Sequence, residues 1–358
     1  MLLQGSCCWP DNDGLLYKIS GWSIFLNLFL MDICLGLYFC QHIGDLSDAL
    51  QRGGEVIGLA ESTMRLYIML TKRNIINSIL VKIWKQFWPI NVLAPTDRKR
   101  LKRKARVSIM LTLIFLISSL ACGTRITYDP YLRDHSLLLK SVFPFDWHRP
   151  FVYAAVYIWQ YFLVWMALFI MNAYDFFFVA LVTICSVQFM ILQDVIRNIL
   201  TKISKFQRTE IYGEEGGSMS DRGMLLKCLE QHKLLNRICN ELEESFSIPI
   251  LIQFFTSTTA ICTACVILKI EPSQFFKVLL YTTAHLAQLF YYCFVGDDLS
   301  HQSEQLSTAI YECNWHVNYD RDFRKSLVLM IQRSQHVQRL SAIGMINLDY
   351  SSFVEVYS

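Results

Sequence analysis

Charge is scarce in this chain. Asp, Glu, Lys and Arg make up 18% of its 358 residues, against 53% hydrophobic and 14% aromatic residues. The net charge is only +3, so no nucleic-acid partner is implied. No Asn-x-Ser/Thr glycosylation acceptor occurs. No cleavable leader is expected, because the apolar run that begins near Ile19 is too long for a signal and lacks a basic stretch before it. Catalytic motifs are also missing: there is no Gly-x-Ser-x-Gly elbow, no His-Glu-x-x-His pair and no phosphate-cradling glycine loop. His135, His148, His285, His301, His316 and His336 fall singly on different segments. Neither an enzyme, a cofactor nor a metal site is expected. The twelve cysteines are scattered, mostly inside apolar runs, which does not suit a secreted disulfide framework. Cys262 and Cys265 form a Cys-x-x-Cys pair inside an apolar helix with no second pair, and read as small buried hydrophobes.

What remains is apolar sequence in long runs. Mean hydropathy is +0.32, and the runs approach 20 residues, the length that crosses a bilayer core. The fold class is therefore all-α, a polytopic membrane protein. The first span covers 22–40 and holds Asp32, which is costly in lipid and so faces other helices. The second, 55–71, carries Glu61 and Arg65 at i and i+4, the favourable order for a helical ion pair. Its reading is open between a structural pair and a functional one. Residues 72–106 are strongly basic, and Ile75, Ile76, Ile79, Leu80 and Ile83 repeat at helical spacing, so an amphipathic helix is expected, ended by Pro95. The Arg98–Arg106 cluster puts this segment in the cytoplasm. A third span, 107–127, emerges outside into an aromatic loop, 128–150.

Residues 151–192 are apolar almost throughout, and no Gly or Pro lies between Pro150 and Gly213. A turn inside lipid without either would leave backbone groups unsatisfied. One continuous helix of about 60 Å is expected instead, its lower half continuing beyond the membrane within protein. Residues 210–222 read as a flexible loop, and 223–248 as an amphipathic helix too charged for lipid. Spans at 249–269, entered through a kink at Pro249, and at 274–295 follow. A seventh, broken helix fills 321–358, opened by the cluster Tyr319-Asp320-Arg321-Asp322 with an aspartate as its cap. The whole chain is a single seven-helix domain, N-terminus inside and C-terminus outside, with a cytoplasmic helical anchor. An apolar, aromatic ligand pocket is expected in the outer halves of spans two, three, four and six. Its candidates are Ile57, Met64, Ser118, Cys122, Ile126, Tyr153, Tyr157, Tyr161, Phe275, Tyr281 and Thr282.

The C-terminal stretch carries a more specific signal. Gly296, Leu299, Ser307, Ala309, Tyr311 and Trp315 are followed by Leu329, Met330, Ile331, Arg333, Ser334, Gln335, Leu340, Ala342 and Gly344. This order resembles the C-terminal signature of insect odorant receptors. The resemblance implies an odorant-gated cation channel subunit that binds small volatile organic ligands. It implies assembly with a coreceptor subunit as a hetero-tetramer, in contact with membrane lipid, in the plasma membrane of a sensory neuron dendrite. The long loop insertion of the coreceptor is absent, so this is expected to be an odorant-tuning subunit. Subunit anchoring would then involve Tyr311, Trp315, Leu329, Arg333, Ser334 and Gln335, and pore lining Ile346, Leu348, Tyr350, Phe353 and Val354. The resembled family continues about a dozen residues past the Phe353 position, so a short last segment is expected. The alternatives are a gustatory-receptor-like channel, whose Thr-Tyr-x-x-x-x-x-Gln-Phe motif is not found, and a transporter, whose internal repeat is not seen.

Overall fold

The computed structural model describes residues 14–44, 46–132, 137–270, 272, 275–317 and 320–355. Eleven α-helices occur among them: α1 (Leu15–His42), α2 (Leu46–Thr71), α3 (Arg73–Gln86), α4 (Pro95–Leu132), α5 (Pro150–Arg197), α6 (Ile203–Tyr212), α7 (Glu214–Ser218), α8 (Asp221–Ile270), α9 (Phe275–Tyr311), α10 (Arg321–Ser334) and α11 (Tyr350–Glu355). Five of the described helices are long and apolar enough to cross a membrane, namely α1, α4, α5, α8 and α9. The expected second span lies in α2, which Glu55, Glu61 and Arg65 make less apolar than those five. His135 and Tyr319 lie outside the described residues.

Two compact units divide the chain. The first gathers 1–77, 111–177 and 248–290, and the second 78–110, 178–247 and 291–358. In the first, α1 packs along α2, while many of its large side chains stay exposed, Leu26, Leu30 and Leu37 among them. The loop before α5 is pinned by Gln160, whose side-chain oxygen accepts from the Leu139 N–H and whose Nε2 donates to the Leu139 carbonyl at 2.8 Å. α5 is one uninterrupted helix of 48 residues, as the missing glycines and prolines dictate.

The second unit departs from the sequence reading in three places. Pro95 does not end the basic amphipathic helix. That helix stops at Gln86, and Pro95 is the first residue of α4, where a missing N–H costs nothing. The segment 210–222 is not a flexible loop but the end of α6, the short α7 and the start of α8, joined at Gly213 with φ 66°. A left-handed residue there suits glycine. Arg208 holds this corner, donating to the carbonyls of Met219 and Ile199 and pairing with Asp221. Third, the expected broken helix of 321–358 is helical in its first part only as far as Ser334, where α10 ends. The chain then leaves helical geometry and enters a hairpin of two-residue strands, β1 (Ser341–Ala342) against β2 (Ile346–Asn347), turning at Ile343 and Gly344, both with positive φ. The segment 321–358 is thus helix, hairpin and short helix. α8 continues through Pro249 as a single helix.

His232, on α8 before Pro249, is buried in the second unit. Burial pushes its imidazole down to about 4, and the charge of Arg333 adds to the effect. An unfolded histidine titrates near 6.5. Between the two values the unfolded chain binds more protons, so stability present above about pH 6.5 is lost as pH falls toward 4. The loss reaches up to about 3 kcal/mol. Thermal melting of the full chain in detergent should therefore decline over that window, and His232→Gln should flatten the decline. An identical slope in the variant would refute the assignment.

Candidate functional site

A cavity of about 150 Å³ lies within the first unit, walled by α2, α4, α5 and α9 and by Leu139 of the preceding loop. Each helix contributes residues at helical spacing, so one face of each looks inward. From α2 come Gly54, Gly58 and Ser62, and from α4 Phe115, Ser119, Cys122 and Ile126. α5 supplies Val164, Ala167, Leu168 and Met171, and α9 supplies Tyr281, Ala284, His285 and Gln288. The glycines matter for space: a Cβ at Gly58 would meet nothing within 4 Å, and one at Gly54 would sit 3.0 Å from the Tyr281 hydroxyl. The wall is almost wholly apolar, so it excludes charged ligands and suits small uncharged ones.

Beneath this wall, four helices are tied by a buried polar network. Arg65 of α2 donates through Nη2 to Glu61 Oε1 at 2.6 Å and pairs through Nη1 with Asp175 of α5 at 2.9 Å. The same Nη2 donates to the side-chain oxygen of Gln253 on α8. Gln253 Nε2 donates to Gln288 Oε1 of α9 at 2.9 Å, and Gln288 Nε2 donates to Asp175 Oδ2 at 2.6 Å. The ring closes, and the guanidinium also lies 5.4 Å from the Tyr174 ring centroid. The arginine and both carboxylates have side chains no more than 2% exposed. A planar fork with several donors is what lets one cation serve three acceptors.

The structure brings together only part of the sequence-expected pocket. Cys122, Ile126 and Tyr281 line the cavity. Ser118 is buried but donates to the Ile114 carbonyl of its own helix. Ile57, Met64 and Thr282 are half-buried off the lining. Tyr153 and Tyr157 join Trp147 in an aromatic row, at 6.5 and 6.0 Å between centroids. Tyr161 and Phe275 are exposed. Missed residues include Ser62, Ser119, Met171, His285 and Gln288. The four-residue repeat of Gly54, Gly58 and Ser62 was a visible signal of close helix approach, and His285 stands one turn from Tyr281. Asp175 was given no role from the sequence.

Among the expected anchor residues, Tyr311, Trp315 and Leu329 expose their apolar surfaces, Arg333 and Gln335 are exposed, and Ser334 is buried. Of the expected pore residues, Ile346 lies in β2, while Tyr350, Phe353 and Val354 lie in α11. Leu348 is 1% exposed and packs against Gly296, which puts it inside the fold in this single chain. The ten cysteines among the described residues are free, and no group of three or more metal-ligating side chains occurs among those residues.

Residues 43–358 match the family model described as 7tm Odorant receptor. Odorant receptor 59a of Drosophila melanogaster is 29% identical over 134 residues, which is 37% of this chain and 34% of that protein. Odorant receptor 22c of the same species is 25% identical over 168 residues, 46% of this chain and 41% of its own length. Putative odorant receptor 85d is 27% identical over 207 residues, 57% and 47%. The matches thus span between about a third and a half of these relatives. Two solved structures of the insect olfactory receptor OR5 from Machilis hrabei cover 99% of this chain and 92% of their own. One gives a TM-score of 0.78 at 13% identity, and the other, described in complex with eugenol, 0.80 at 14%. At such identity the likeness establishes the fold.

Proposed function

We propose that this chain, which belongs to the odorant receptor family, is the ligand-tuning subunit of an odorant-gated cation channel. It is a multi-pass membrane protein of that family, which has a seven-span topology and is not enzymatic. The gustatory-receptor and transporter alternatives give way to the family match. The observation that carries the proposal is the apolar cavity walled by α2, α4, α5 and α9. A cavity of this size accommodates a molecule of roughly benzene dimensions. The structural neighbour from Machilis hrabei is described in complex with eugenol, and a smaller volatile suits this chain.

In this reading the ligand binds the open arrangement better than the closed one and so shifts the equilibrium. The N-terminus lies inside, the second unit supplies the cytoplasmic anchor, and Tyr311, Trp315 and Leu329 meet neighbouring subunits, one of them a coreceptor. The residues after Gly344 serve the pore. The test is whole-cell current from cells expressing this chain with and without a coreceptor under a broad panel of volatiles. Ligand-evoked cation current that needs both chains is the expected result, and silence despite confirmed surface delivery would overturn it. Gly58→Leu probes the cavity itself. Its Cβ would meet nothing within 4 Å, so folding should be preserved while the half-maximal ligand concentration rises roughly tenfold or more, as occupied volume excludes ligand. An unchanged dose response would place the ligand elsewhere.

A further inference from the structure

The polar side chains on the cavity wall are not equivalent. Glu55 is held by Arg52 at 2.9 Å. Ser62 donates to the Gly58 carbonyl at 2.9 Å, and Ser119 accepts from Asn172 Nδ2 at 2.9 Å. Gln288 is engaged at both ends of its amide by Gln253 and Asp175. His285 differs. It is 8% exposed, its ring lines the cavity edge-on to Tyr281 at 4.6 Å, and its Nδ1 is buried with no hydrogen-bond partner. Buried polar atoms almost always have a partner, and leaving one unmatched is costly. A group of this kind is complete only when something in the cavity answers it.

We propose that His285 is the polar recognition element of this cavity and that it selects small ligands bearing a hydroxyl group. The proposal rests on the reading of the cavity as the ligand site. Size and chemistry define the class together. About 150 Å³ admits one small ring or a short chain, and the surrounding wall requires the rest of the ligand to be apolar. A neutral imidazole presents one N–H and one bare nitrogen. A hydroxyl both donates and accepts, so it satisfies whichever atom a turn of the ring brings to the cavity. An ether or ester oxygen satisfies only the N–H, and a hydrocarbon satisfies neither. Ordinary partitioning runs the other way, because a hydroxyl is harder to remove from water than a methyl group. A preference for the hydroxyl ligand is therefore diagnostic of a hydrogen bond in the site.

Phenol and toluene, nearly equal in size, separate the two effects. Their affinities for the purified full chain in lipid nanodiscs should be measured directly by competition or thermal shift, alongside evoked current in cells. Phenol should bind about tenfold more tightly than toluene. His285→Leu should bring that ratio to unity or below, while His285→Asn, which keeps a donor and an acceptor at the same depth, should retain most of it. Equal affinities in the unaltered protein would overturn the proposal, and that result does not depend on any variant folding. A ratio unchanged in His285→Leu would overturn it as well. Phenol-selective binding without current would sustain the assignment of His285 while removing the channel reading. Current with no phenol preference would do the reverse.

Discussion

Replacing Arg65 with leucine is expected to cost about 3–5 kcal/mol, enough to abolish delivery of folded protein to the cell surface. The reason is the imbalance of the network. One guanidinium serves Glu61, Asp175 and Gln253, all buried, and its removal leaves two carboxylates in an apolar interior with no cation. Arg65→Lys should fail to restore the protein, because a single ammonium cannot reproduce the fork. The combined variant Arg65→Leu, Glu61→Gln, Asp175→Asn should recover much of the loss, since it removes the stranded charges with their partner. Melting temperature in detergent and surface labelling in cells are the measurements. A single Arg65→Leu variant that melts with the parent would show the network to be dispensable.

The second large effect is expected at Gly296. A Cβ placed there would collide with the backbone oxygen of Leu348 and lie 2.7 and 2.8 Å from its Cβ and Cγ. The far side is not a flexible side-chain tip. Leu348 is fixed by its N–H bond to the Leu340 carbonyl at 2.9 Å, so Gly296→Ala must push the terminal hairpin off α9. Overpacking of this kind costs about 1–3 kcal/mol. Limited proteolysis should cut the chain near Arg339 faster in the variant, and hydrogen exchange at the Leu348 amide should accelerate. Gly36→Ala serves as the control, since its Cβ meets nothing within 4 Å. Equal cleavage rates in the two variants would sink the argument.

The contrast between these residues shows what the sequence made legible. Glu61 and Arg65 could be paired from spacing alone, because four residues on a helix is a local rule. Asp175, Gln253 and Gln288 could not be added, since their meeting depends on how three other helices pack. α5 was readable as one helix because nothing in it could turn. The end of α10 was not. Apolar residues recur past Ser334 at Val337, Leu340 and Ile343, yet Gln338 donates its N–H to Ser303 Oγ at 3.0 Å and Ser341 donates to Glu243 Oε1 at 2.5 Å. Those long-range bonds favour a non-helical path over a further helical turn, and no periodicity reveals them. At Pro95 the residue type was informative but its side of the boundary was misjudged, since proline suits a helix start as well as it marks an end. In the cavity, aromatic residues drew attention while the small ones made the room.

The closed network also has a kinematic consequence. α2 enters it through residues one turn apart, so sliding α2 by that turn, about 5.4 Å, would set Glu61 where Arg65 now stands. A carboxylate would then confront Asp175, and the guanidinium would be carried away from both Gln253 and Asp175. The network therefore opposes translation along the helix axis more than it opposes a small tilt. The four helices it ties, α2, α5, α8 and α9, are left with a fulcrum at Arg65.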